Sequence, residues 1–182
     1  MFLVEVSKLE PKQNATQQAL DPLIGLKLSL ALRAMDMRIF HFGYVRRHAQ
    51  RGEVGKYALH IQCPWRIDRP EGTVTGRLDL CEHISGEQML DEWEPGIDDN
   101  IQDVRLAALL QSYNADTRSH VNTTDILIVE RVNASTLGDA TIDLSGGYRL
   151  TLFPAGTASK AWRIFRPGDD DSHFVVEGEQ PA

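Results

Sequence analysis

The chain has 182 residues, 26 acids against 19 bases and a net charge of −7. That balance excludes a dedicated nucleic-acid binder, because phosphate binding runs on an excess of Lys and Arg. Apolar residues make up 42% and charged residues 25%, the composition of a globular chain long enough to bury a core without a disulfide or a metal.

No apolar run approaches the roughly 20 residues of a membrane span, so no membrane role is expected. The opening Met-Phe-Leu-Val-Glu-Val lacks the basic segment and long apolar run of a signal peptide. A cytoplasmic location with Cys63 and Cys81 as free thiols is therefore expected.

Residues 10–22 are polar and bracketed by Pro11 and Pro22, which predicts a connector with a turn of helix. Ile24, Leu26, Leu28, Leu30 and Leu32 then alternate with Gly25, Lys27, Ser29, Ala31 and Arg33, the period of a strand with one apolar face. A second strand over 37–42 ends at Gly43. Residues 44–56 form a basic loop, with Arg46, Arg47, Arg51 and Lys56 against Glu53.

Tyr57, Leu59, Ile61 and Cys63 alternate with Ala58, His60 and Gln62 in a strand that must end or break at Pro64. Trp65-Arg66-Ile67 continues it briefly, and 73–84 form one more strand. After a loop over 86–100, a helix capped by Asp98, Asp99 or Asn100 runs to about Tyr113, with Gln102, Arg105 and Ser112 as its polar stripe. Beyond a polar gap at 114–124, residues 126–132 are apolar on both faces and predict a central strand. Strands over 140–144 and 148–153 flank Gly146-Gly147, a hairpin turn pair. Strands over 161–165 and 173–176 flank a turn at Pro167-Gly168.

Two segments align. Tyr57, Leu59 and Ile61 followed by Trp65-Arg66-Ile67 match Tyr148, Leu150 and Leu152 followed by Trp162-Arg163-Ile164. The expected fold is α+β, mainly antiparallel, with two related β-meanders around one central helix. The meanders cover about residues 23–84 and 125–177, joined by the acidic loop and helix 86–113 within a single domain of residues 1–182. Trp65 and Trp162 are expected as core plugs.

The runs from Tyr57 to Ile67 and from Trp162 to Pro167, with His173-Phe174-Val175-Val176, resemble uncharacterised bacterial proteins grouped as domains of unknown function, over about residues 23–178. The resemblance implies a bacterial, cytoplasmic chain and, through some small proteins of that kind, an immunity role against bacterial toxins. It supplies no catalytic residue.

His60, Cys63, Cys81 and His83 have the residue types of a zinc site, but strand alternation sends His60 and Cys63 to opposite faces. No metal, no cofactor and no catalytic residue is therefore assigned.

Residues 87–103 hold seven acids and no Lys or Arg. Asp91, Glu92 and Glu94 surround Trp93, an aromatic anchor ringed by one sign of charge. The leading expectation is a non-enzymatic domain that binds a basic protein partner there. The alternative is a small-ligand binder or enzyme with a pocket between the two β halves, where Arg46, Arg47 and Arg51 meet an anion. Clustering of His41, His60 or His83 with a perturbed carboxylate would favour the alternative.

Overall fold

The computed structural model describes residues 14–86, 99–157 and 159–178. Trp93, Asp91, Glu92 and Glu94 lie outside the described residues. The helices are α1 (Ala15–Leu20) and α2 (Ile101–Leu110). The strands of the first half are β1 (Leu28–Ala34), β2 (Met37–Phe42), β3 (Arg46–His48), β4 (Gly52–Val54), β5 (Tyr57–Ile61), β6 (Trp65–Arg69) and β7 (Gly72–Gly76). Those of the second are β8 (Tyr113–Asn114), β9 (Ser119–Val121), β10 (Val129–Ala134), β11 (Ala140–Leu144), β12 (Tyr148–Leu152), β13 (Lys160–Phe165) and β14 (Phe174–Glu177).

The architecture is dominated by antiparallel β-structure. One sheet has the order β14-β13-β5-β2-β1-β9-β8 and the other β10-β11-β12-β6-β7, while β3 and β4 form a separate hairpin. The two sheets share one core. Phe40 of the first meets Trp65 of the second edge to face at 5.4 Å, and Leu59, Ile61, Ile67, Ile142, Leu150 and Trp162 are buried in the same cluster.

Neither Trp-bearing strand stays in the sheet of the strand before it. After β5, Pro64 ends the ladder and β6 joins the other sheet, where Trp65 faces Leu152 of β12. After β12, β13 crosses the opposite way and Trp162 faces Ile61 of β5. Phe40 faces Leu59 and Ile142 faces Leu150 in the two meanders. A bulge falls between Leu28 and Leu30 in β1, and another between Val129 and Arg131 in β10.

The first bulge corrects the simple alternation expected over 24–33. Leu28 and Ala31 enter the core cluster, while Leu30 pairs with His41 and turns to the other face. Residues 21–23 form a 3-10 turn, so the strand begins only at Leu28.

The strand expected to be central, 126–132, is instead β10 at a sheet edge. Its apolar character is explained by α1, which packs on it. The open edge is covered by side chains: Gln17 donates to the Val132 carbonyl at 3.0 Å and accepts from the Ala134 N–H at 2.7 Å, and Asn14 donates to the Ala134 carbonyl. Covering an exposed ladder in this way blocks pairing with another chain. The polar gap at 114–124 contains β8 and β9, which extend the first sheet.

Helix α2 starts at the Asn100 cap, whose Oδ1 accepts from the Asp103 N–H at 2.9 Å, and ends where Gln111 turns left-handed at φ 67°. It packs against β7, β9 and the 3-10 turn at Arg77–Cys81. Its polar stripe is not where the sequence pattern puts it, because Gln102 is buried with Asp103. Both serve Arg38, which is 1% exposed on β2. Arg38 donates to Gln102 at 2.9 Å and to Asp103 at 2.7 Å. Arg33 lies 3.3 Å from the same carboxylate. Burial would raise the Asp103 carboxyl, but hydrogen bonds from His120 and Asn100 and the Arg38 charge hold it far below the usual range.

Candidate functional site

The outer face of the seven-stranded sheet carries Leu32, Ile39, His41, His60, Arg163 and Phe165, brought into one patch by the pairings of β1, β2, β5 and β13. The β3–β4 hairpin folds over part of this face and makes a cleft of about 350 Å³, lined also by Arg51, Glu53, Val54, Pro167 and His173. The sheet face thus supplies Leu32, Ile39, His41, His60, Arg163 and Phe165, and the hairpin supplies Arg51, Glu53 and Val54.

Three contacts hold the hairpin there. Gly55 lies so close to β2 that a Cβ would meet the Phe42 carbonyl oxygen at 2.7 Å, and its N–H donates to His41 Nδ1 at 3.0 Å. Arg46 donates to the Pro167 carbonyl. Glu53 accepts from Asn114 at 3.2 Å and from Thr117 at 3.3 Å, tying the hairpin to the β8–β9 turn.

The two buried-side imidazoles are uncharged. His41 is lowered to about 4 by burial. His60 is lowered to about 3, first by burial and then by the Arg163 charge, with smaller contributions from His41, Arg51 and His173. Arg163 donates to His60 Nδ1 at 3.0 and 3.2 Å, and guanidinium can only donate. Nδ1 of both rings therefore accepts, and the Nε2–H of each remains as a donor. Phe165 stacks on His173 with ring centroids 4.4 Å apart, meets His60 edge to face at 4.8 Å, and lies under the Arg163 guanidinium at 5.2 Å.

Among the described residues neither Arg51 nor Arg163 has a salt-bridge partner. A groove on the outer face of the five-stranded sheet gives the contrast. It is lined by Arg66, Arg69, Arg131 and Arg149, and each has a carboxylate. Arg131 and Arg149 both pair with Asp143 at 2.8 and 2.5 Å, Arg66 with Asp68 at 2.7 Å, and Arg69 with Glu71 at 3.4 Å. Hydrogen bonding from Arg149, then from Arg131, lowers the Asp143 carboxyl against the opposing effect of burial.

Of the three arginines assigned to an anion contact, Arg51 lines the cleft, Arg46 anchors the hairpin, and Arg47 is exposed on β3 outside the lining. His41 and His60 come together, whereas His83 sits in a bridge with Asn100 and contacts Ser85. The carboxylate in the cleft is Glu53. Arg163, Phe165 and His173 were not assigned to a site from the sequence. The signal that could have found them is the second Trp-Arg-Ile triplet, which places Arg163 on the face opposite Trp162. Cys63 is buried in the core, where burial pushes its thiol up to about 11, and Cys81 is exposed.

No family model, curated protein or solved structure matches the chain. Among the described residues no helix is long and apolar enough to cross a membrane.

Proposed function

We propose that the chain is a binding protein for a small anionic ligand, held in the cleft beneath the β3–β4 hairpin. The observation that carries this reading is the pair Arg51 and Arg163. Two guanidiniums line one concave site with no ion pair among the described residues, beside two neutral imidazoles and the single carboxylate Glu53, whereas every arginine of the opposite groove is ion-paired. Guanidiniums without ion-pair partners in a site of net positive charge are the composition of an anion pocket. The lining has no Ser, Thr, Cys, Tyr or Lys, so it favours holding a ligand over nucleophilic catalysis. Free cysteines fit a cytoplasmic setting.

The cleft also gives the architecture a rationale. The chain is read as two copies of one five-strand unit, β1-β2-β5-β6-β7 and β10-β11-β12-β13-β14, each giving three strands to one sheet and two to the other. The matched Trp65–Leu152 and Trp162–Ile61 registers and the matched bulges support this. Arg66 and Arg163 are then equivalent positions. Only the first copy carries the basic hairpin insertion, and only its sheet has the cleft.

The test is thermal unfolding of the full chain with phosphate, sulfate and carboxylate salts at matched ionic strength. Stabilisation by one class, lost in Arg163→Met, is expected. Equal responses of the parent and variant would reject the reading.

A second proposal rests on charge. Removing the seven acids of residues 87–103 leaves 19 acids against 19 bases, so that stretch could attract a basic protein partner with Trp93 as its anchor. Asp103 is not part of such a surface, since it is buried against Arg38.

A further inference from the structure

The cleft has more than charge. Leu32, Ile39, Val54, Phe165 and Pro167 give it an apolar wall, and Arg51 and Arg163 stand with His60 at its polar side. An inorganic anion would leave that wall unused. At pH 7 the lining carries Arg51 and Arg163 against Glu53, a formal excess of one positive charge with histidines counted neutral. A monoanion cancels that excess, whereas a dianion overshoots it. The planar guanidinium fork matches the two oxygens of a carboxylate, and a cleft of about 350 Å³ is within the size range of small-molecule sites.

We infer that the ligand is a small organic monocarboxylate with an apolar body, its carboxylate held by Arg51 and Arg163 and its body laid against Ile39, Val54, Phe165 and Pro167. This rests on the anion-binding reading of the same cleft. The Nε2–H donors of His41 and His60 complete the polar side, and neither ring needs to gain a proton for a monoanion to be neutralised.

The experiment is isothermal titration of the full chain at pH 7 and low salt with benzoate, acetate, benzyl alcohol and phenyl phosphate. Benzoate is expected to bind one per chain. Acetate, lacking the body, and benzyl alcohol, lacking the charge, are each expected to bind at least about tenfold more weakly. Arg163→Met and Arg51→Met should each weaken benzoate by about tenfold or more, while Arg149→Met in the opposite groove should leave it unchanged. Acetate matching benzoate would overturn the apolar body, and phenyl phosphate exceeding benzoate would overturn the carboxylate, in both cases leaving the anion cleft standing. No binding by any anion, or binding unaffected in both cleft variants, would overturn the cleft reading with it.

Discussion

Arg163 donates two hydrogen bonds to Nδ1 of His60, a pairing of a permanent cation with a neutral imidazole rather than with a carboxylate. Burial first, and the Arg163 charge second, keep His60 uncharged, and the guanidinium is left without an ion-pair partner at the cleft. Removing the cation should release the imidazole. In Arg163→Met, His60 is expected to titrate above its parent value of about 3, moving toward 6.5, as followed by ring-proton NMR. An unchanged titration would mean that burial alone sets it.

His41 makes stability depend on pH. The unfolded chain takes up a proton below 6.5, while the native ring stays neutral down to about 4. The contribution is therefore complete above pH 6.5 and is lost as pH falls from 6.5 to about 4. A difference of this size corresponds to roughly 3 kcal/mol. Denaturant unfolding across that window should show the decline, to which His60, lowered to about 3, also contributes, and His41→Gln should make it shallower. A parent and variant with parallel pH profiles would remove His41 as the source.

Trp162 is 1% exposed, and its Nε1–H donates to the Gly138 carbonyl at 2.8 Å. Trp162→Ala should cost about 3–5 kcal/mol, the usual range for truncating a large core aromatic. Trp65→Ala should fall in the same range, because this indole is also buried, against Phe40. A loss below about 1 kcal/mol at either site would show that the indole is not a core element.

Much of this frame was legible in the sequence, and the failures have identifiable causes. Alternation over 57–61 located β5, and Gly146-Gly147, both at φ 80°, located the hairpin between β11 and β12. Alternation over 24–33 misled because a bulge changes which face follows Leu28. The apolar run at 126–132 was read as central because hydrophobicity reports burial and not pairing, and α1 supplies that burial at an edge. Gln102 looked like a surface residue because its partner, Arg38, is 64 positions away in the chain. The cleft was half legible: the histidines and the basic loop were visible, but Arg163 and His173 reach them only through the β13–β5 pairing.

The Arg38–Asp103 pair offers a further test of that burial. Asp103→Ala leaves Arg38 buried without its carboxylate, and breaking a buried ion pair on one side costs about 3–5 kcal/mol. Chemical denaturation should find a loss of that order without loss of benzoate affinity in the residual folded protein. A neutral effect would place Asp103 in solvent.

Strands β6–β7 lie in the sheet of β10–β12, and β13–β14 lie in the sheet of β1, β2 and β5. Chains ending at 86 and beginning at 99 are therefore expected to be unfolded alone and to assemble when refolded together, as read by circular dichroism. A stable isolated half would contradict the exchange of strands.

The most direct test of the anion cleft is histidine-ring NMR during titration with benzoate at pH 7. The account predicts saturable shifts at His60 and His41 with His83 unmoved. Shifts confined to His83, or no shift at His60 and His41 as benzoate is raised, would contradict it.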